Sequence, residues 1–231
     1  MGLKHLACIM DGNRRWAMRQ SFAKLLGHKK GIETISVVAD FCLAKKIPFL
    51  SLYAYSIENL YNRSPEEQHY LFGQLAQEAL QSLDNFKQKN ICIKFIGDRT
   101  LFPKSMQPVC EIVEKETAHC TVLQLNLLLC YGGRQEIVDA TKRIAQAVSQ
   151  GTLKIDDITT QLFENNLWTY GVPSPDLIIR TGGQQRLSNF LLYQAAYSEL
   201  YFLDCMWPDI SEKELELALT YYDECQKNFG R

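Results

Sequence analysis

"QLNLLLCYGGRQEIVDATKRIAQAVS", residues 124–149, is the stretch whose reading decides the fold. Residues 124–130 are a short apolar run bounded by turn residues, the pattern of a buried strand. Tyr131-Gly132-Gly133-Arg134 leaves that run, and residues 134–149 carry apolar positions at helical spacing. A strand, a glycine exit and an amphipathic helix form part of a βαβ unit, and the unit recurs along the chain. Strands are expected at 5–10, 49–54, 91–96, 124–130, 177–179 and about 200–203. Helices are expected at about 28–46, 66–89, 105–118, 134–149, 157–167 and 211–228. Ser64 before Pro65 caps the second helix, and Ser211 ahead of Glu212 and Glu214 opens the last. The class is α/β: a single domain over 1–231 with a mostly parallel six-stranded sheet flanked by helices.

Composition narrows the function. The chain has 231 residues, 46% apolar content and a net charge of -1. It can bury one substantial core but lacks the basic excess of a general nucleic-acid surface, so no nucleic-acid partner is expected. Its eight cysteines form no C-x-x-C pair and read as reduced packing residues of a cytoplasmic protein. Asp11, Arg14 and Arg15 interrupt the first apolar run, so no signal peptide is expected. The run 122–131 is too short to span a membrane and contains Gln124 and Asn126.

In parallel sheets ligands gather outside the carboxyl ends of the strands. The exits are Asp11-Gly-Asn-Arg-Arg15, Tyr55-Ser-Ile-Glu-Asn59, Gly97-Asp-Arg99, Tyr131-Gly-Gly-Arg134 and Arg180-Thr-Gly-Gly183. Four of the five carry both an arginine and a glycine. Arginine forks with glycine-freed backbone N–H groups suit phosphate oxygens. A phosphate-type ligand follows, although a surface turn with a local ion pair is the plain reading of Asp11 by itself. No P-loop, G-x-G-x-x-G, zinc spacing or G-x-S-x-G elbow is present.

What remains is Asp11 with its basic turn, His28 beside Lys29 and Lys30, the Ser56–Asn59 exit, and Arg180, Arg186 and Ser188 far downstream. "HLACIMDGNRRWA" (5–17), "GHKKG" (27–31), "LYAYSIEN" (52–59), "LLLCYGGRQEIVDA" (127–140), "RTGGQQRLSNFLLYQAAYSELYF" (180–202) and "WPD" (207–209) stand in order. Over almost the whole chain they resemble the motifs of the cis-prenyltransferases, most nearly the bacterial undecaprenyl diphosphate synthases.

The resemblance implies repeated condensation of isopentenyl diphosphate onto an allylic diphosphate, usually farnesyl diphosphate, making Z double bonds with Mg2+. It implies that Asp11 is the key acid near the metal, with Glu199 as a second carboxylate from the partner subunit or its vicinity. Gly12, Asn13, Arg14, Arg15 and Trp16 would hold the first diphosphate, with Lys24 where many members have arginine and His28 assisting. Ser56, Ile57, Glu58, Leu60 and Arg63 would frame Asn59. A carboxamide is a poor base, so Asn59 positions substrate while diphosphate or water takes the proton. Arg180, Arg186, Leu187 and Ser188 would hold isopentenyl diphosphate, and Asp209 is a further family position. A homodimer is implied, as is a cytoplasmic protein that meets the inner face of the membrane to deliver its product.

Departures gather in one loop. The family reads Asn, aromatic, any residue, Arg, Pro, whereas Asn59-Leu-Tyr-Asn-Arg63-Ser-Pro65 lacks the tryptophan and is longer. Arg14 replaces a residue that is often small, and Gln184-Gln185 replace a more usual acid or histidine. An apolar tunnel for the growing tail is expected between the sheet and two helices. Its candidate walls are Ile32, Ile35, Val38, Ala39 and Cys42, with Tyr70, Leu71, Leu75, Leu80, Leu83 and Phe86, most of them ordinary core and a minority lining. Two alternatives stay open: a synthase of shorter or longer product, and a non-catalytic subunit, although such subunits typically lose the aspartate and basic turn present here.

Overall fold

The computed structural model describes residues 2–22 and 24–225, apart from the side chains of residues 24 and 25. Among the described residues, β1 (His5–Ile9), β2 (Phe49–Ser56), β3 (Ile91–Ile96), β4 (Leu123–Tyr131), β5 (Leu177–Arg180) and β6 (Glu199–Phe202) form one parallel sheet. Its order is β3-β4-β2-β1-β5-β6. The helices are α1 (Asn13–Arg19), α2 (Lys24–Lys45), α3 (Ile57–Asn62), α4 (Pro65–Gln81), α5 (Leu83–Gln88), α6 (Gln107–Thr117), α7 (Gly133–Ser149), α8 (Thr160–Glu164) and α9 (Glu212–Glu224).

Strands whose two faces are both covered read as continuous apolar runs, which is why the six expected strands all form within two residues of their expected bounds. The helices differ more. The expected 66–89 helix breaks at Ser82, whose hydroxyl turns back to Glu78 Oε1 at 3.0 Å instead of leaving the turn undisturbed. Residues 155–157 make a short 3-10 turn ahead of α8, in place of one helix over 157–167. Two helices form where exits were expected: α1 directly after Gly12, and α3 after Ser56, whose Oγ accepts the Asn59 N–H at 3.2 Å. The end of the expected 211–228 helix lies outside the described residues beyond 225.

The chain passes from β1 to its neighbour β2, goes out to β3, returns to place β4 between them, then crosses to the other side of β1 for β5 and β6. Direction reverses at β1, so the crevice for a ligand opens at the carboxyl ends of β1, β2 and β5. One face packs Leu6, Cys8, Leu50, Leu52, Ile93, Leu127 and Ile179 against α2, α4, α6 and α9. The other packs Ala7, Ile9, Tyr53, Leu128 and Ile178 under Phe190 and Leu191. Glu136 of α7 ties that second layer together. It is fully buried and accepts from Tyr131 Oη, Thr169 N–H and Oγ1, and Gln194 Nε2 at 2.5 to 2.9 Å. No helix among the described residues is long and apolar enough to cross a membrane.

Candidate active site at the carboxyl rim of the sheet

Past β1 the chain turns on Gly12, at φ 109°, a left-handed conformation that suits glycine. A side chain there would also strike Met206, whose Sδ lies 2.6 Å from the Cβ position. The turn starts α1 and fixes Asp11 from behind: its carbonyl accepts from Thr181 Oγ1 at 2.7 Å and from Trp207 N–H at 3.0 Å. Its carboxylate is gripped from both sides. Arg15 Nη2 donates to Oδ1 at 3.0 Å, and Arg180 Nη2 donates to Oδ2 at 2.9 Å. Arg180, at the end of β5 and only 5% exposed, also donates to Ser188 Oγ at 2.8 Å and to the Arg186 carbonyl. Ser188 and Asn189 take positive φ, 50° and 67°, so the returning loop is bent sharply where it meets the site.

Opposite stands a second group of basic residues. Arg14, His28 and Arg63 come within 4.0, 3.5 and 3.7 Å of one carboxylate oxygen, Glu67 Oε1. Burial holds the His28 imidazole down at about 4, with the neighbouring Arg63 guanidinium also lowering it and the Glu67 carboxylate opposing them. His28 is therefore neutral near pH 7 and offers a hydrogen bond instead of a charge. Arg63 also lies over the Tyr55 ring, 5.1 Å from its centre. Between these groups and the sheet is a cavity of about 590 Å³. Its polar end carries Asp11, Asn13, His28, Ser56, Glu58, Asn59, Arg63, Arg180, Ser188 and Asn189; its apolar wall carries Ile32, Ile35, Leu71, Phe72, Leu75 and Leu129. Of the eleven helix residues expected to flank a tunnel, Ile32, Ile35, Leu71 and Leu75 line it. Val38, Ala39 and Cys42 are buried core, while Leu80 faces outward.

The expected site residues sort as follows. Asp11, Gly12, Asn13, Arg14, Arg15, His28, Ser56, Glu58, Asn59, Arg63, Arg180 and Ser188 border the large cavity or the smaller cationic pocket at its mouth. Ile57 does not: it is core, 4% exposed. Leu60 packs against the main core and Leu187 against the second layer. Trp16 donates to Asp209 Oδ1 at 2.6 Å and braces α1 instead of facing the cavity. Arg186 donates to Gln184 within its own loop at 2.7 Å and lines neither opening. The Lys24 side chain lies outside the described residues.

Glu199 begins β6 and is in register with Leu177, which is in register with Leu6. That level is near the start of β1, whereas Asp11 lies past its carboxyl end, so one chain does not bring the two acids together. Two of the arginine-bearing exits also stand apart. Arg99 pairs with Glu114 at 2.5 Å, and Arg134 is exposed on a surface dip with Asp98 and Lys142. The fourth exit contributes backbone instead: Gly133 N–H donates to the Asn189 carbonyl and Arg134 N–H to Asn189 Oδ1. Sequence reasoning missed Glu67 and Asn189. The S-x-x-E spacing of Ser64 and Glu67 reads only as a helix start, and nothing local to Asn189 signals its contact with Glu58 at 2.8 Å.

Known proteins resemble this chain over its length. A family model described as putative undecaprenyl diphosphate synthase matches residues 9–230. A Thermoplasma acidophilum relative named as a geranylgeranyl-diphosphate-specific tritrans,polycis-undecaprenyl-diphosphate synthase is 42% identical over 99% of this chain and 89% of its own. One from Legionella pneumophila, named as a farnesyl-diphosphate-specific ditrans,polycis-undecaprenyl-diphosphate synthase, is 40% identical over 99% of this chain and 95% of its own. Among solved structures, lavandulyl diphosphate synthase from Lavandula x intermedia, in complex with dimethylallyl diphosphate, superposes with a TM-score of 0.95 at 33% identity, covering 99% of this chain and 98% of that one. A probable undecaprenyl diphosphate synthase from Campylobacter jejuni gives 0.82 at 31% identity over the full length of both chains. An anion-gripping rim above an apolar cavity, joined to full-length likeness of this degree, makes the chain a member of the cis-prenyltransferase family typified by undecaprenyl diphosphate synthase.

Proposed function

We propose that this enzyme extends farnesyl diphosphate with successive isopentenyl diphosphate units, with Mg2+, to a Z-polyprenyl diphosphate of undecaprenyl length, the precursor of a lipid carrier for cell-wall polysaccharide. The observation that carries the reading is the joining of Asp11, Arg15 and Arg180 at one rim to the 590 Å³ cavity walled by Ile32, Ile35, Leu71, Phe72, Leu75 and Leu129. In each cycle the allylic C–O bond breaks, a new C–C bond forms to isopentenyl diphosphate, one proton leaves and pyrophosphate departs. Negative charge grows on the departing diphosphate, and fixed guanidinium groups lower the barrier most where that charge develops. Arg14, Arg15 and Arg63 face the allylic head, and Arg180 with Ser188 faces the second diphosphate. Asn59, on the cavity wall, orients substrate for proton loss to diphosphate or water. Holding the two reactants side by side contributes on the order of 7–11 kcal/mol in well-oriented cases.

No group of three or more metal-ligating side chains exists among the described residues, so a closed metal site does not fit. A site of one carboxylate completed by phosphate oxygens does fit Mg2+, and Asp11 is the acid available for it. Bound there, the ion would neutralise charge on the leaving diphosphate. Glu199 could join it only from a second copy of the chain, which accords with a homodimer.

A second reading, a shorter product, draws on the cavity: 590 Å³ is the size of an ordinary small-ligand pocket, about 300–1,000 Å³. Incubating the enzyme with farnesyl and isopentenyl diphosphates and Mg2+, then weighing the lipid by mass spectrometry, tests both readings. No extended lipid would refute the proposed reaction; extended lipid shorter than undecaprenyl would support the second. A sizing column tests the homodimer.

A further inference from the structure

Two helices of this chain start with the S-x-x-E spacing, and they end differently. At α9 the capping box closes: Ser211 and Glu214 satisfy each other's backbone N–H groups. At α4 only the first half forms, with Ser64 Oγ accepting the Glu67 N–H at 3.3 Å. The Glu67 carboxylate is turned toward Arg14, His28 and Arg63, none within ordinary hydrogen-bond distance. Glu67 Oε1 and His28 Nε2 are both buried without a hydrogen-bond partner. Buried polar atoms are rarely left so, and these two stand 3.5 Å apart, a long contact directly behind the pocket-lining arginines. Arg14, His28 and Arg63 also line the cationic pocket at the cavity mouth.

We propose that Glu67 is a resident counter-anion of the diphosphate pocket: a positioning residue that gathers Arg14, His28 and Arg63 around one point and competes with substrate phosphate for them. The proposal rests on the diphosphate reading of the site. A carboxylate there keeps the cations from repelling one another before substrate arrives, and it weakens the hold on pyrophosphate, which must leave after every addition.

The test is the affinity of the full-length wild type, Glu67→Gln, Glu67→Asp and Arg14→Ala/Glu67→Gln for inorganic pyrophosphate, by titration calorimetry in low and high salt. Glu67→Gln binds tighter by about five- to tenfold at low salt, the scale of one charge at about 4 Å in a solvated site. The gain fades at about 1 M salt, where charges are screened within about 3 Å. Glu67→Asp keeps its charge and stays within about twofold of wild type. Removing Arg14 shrinks the gain from Glu67→Gln. A merely structural role for Glu67 would loosen binding, so equal or weaker binding by Glu67→Gln, with wild type binding normally, overturns this proposal alone. Failure of wild type to bind pyrophosphate overturns the diphosphate reading and this proposal with it.

Discussion

Lowering the pH from 7 to 5 should destabilise this enzyme through His5, at the start of β1. His5 is 1% exposed, and its Nδ1 lies 2.7 Å from the Pro173 carbonyl. A carbonyl only accepts, so Nδ1 carries the proton and Nε2 must accept from Ser51 Oγ, 2.8 Å away. The row continues: Ser51 Oγ accepts from Asn126 Nδ2 at 3.0 Å, and Asn126 Oδ1 accepts from Gln124 Nε2 at 2.8 Å. A proton on Nε2 would face a hydroxyl already donating to it and leave that hydroxyl without an acceptor. Burial, outweighing the Pro173 carbonyl and the Asp176 charge, holds His5 at about 4 instead of 6.5. Between those values the unfolded chain binds a proton that the folded chain does not, so the stabilisation is complete above pH 6.5 and drains away toward pH 4. The difference between the two values corresponds to about 3 kcal/mol in full, with roughly 2 kcal/mol gone by pH 5. Urea unfolding of wild type and His5→Gln at pH 7 and pH 5 isolates this part. Wild type should lose about 2 kcal/mol more than the variant over that interval. Equal losses would refute the assignment of His5 as a buried neutral donor–acceptor.

Asp11→Asn keeps the shape and removes the charge between Arg15 and Arg180; turnover should fall at least about a hundredfold, and near-normal turnover would remove Asp11 from the chemistry. Glu136→Ala leaves Tyr131, Thr169 and Gln194 without their buried acceptor and should lower the unfolding free energy by at least about 3 kcal/mol. A change under about 1 kcal/mol in urea unfolding would show that the network does not hold the second layer. Leu75→Phe adds bulk to the apolar wall of the cavity. Mass spectrometry of the lipid should show the product distribution moved to shorter chains, and an unchanged distribution would mean the tail lies elsewhere.

The inner strands were legible because burial on both faces makes them continuous apolar runs, whereas the edge strand β6 is only half-buried. The crevice was legible because parallel sheets of this kind open at the carboxyl rim. The start of α1 was not: Gly12 reads as a turn, and the further reason a side chain is excluded there, Met206, lies nearly two hundred residues away. The same limit applies to cations. Arg99 and Arg180 both leave strands, yet Arg99 is neutralised by Glu114 from α6, while Arg180 is buried on Asp11 at the site. Residue type and exit position do not distinguish them; only the partner does, and the partner comes from the tertiary fold. Ile57, Leu60 and Leu187 show the converse, since positions adjacent to site residues alternate into the core.

Those partners also explain how an anion site is built on a chain of net charge -1. Arg15 and Arg180 share Asp11, while Arg14 and Arg63 share Glu67. Two guanidinium groups about 4 Å apart would repel by roughly 4 kcal/mol at the dielectric of a partly buried site, so a bare cluster of four would splay or empty its loops. With one carboxylate set between each pair, the charge of the four guanidinium groups is halved and the cluster is already in place before any substrate enters. In the proposed reaction a diphosphate would take over cations that the protein has preassembled, and the carboxylates would reclaim them when pyrophosphate leaves. The two carboxylates differ in place: Asp11 lines the cavity, while Glu67 stands behind Arg14, His28 and Arg63, which line the pocket at its mouth.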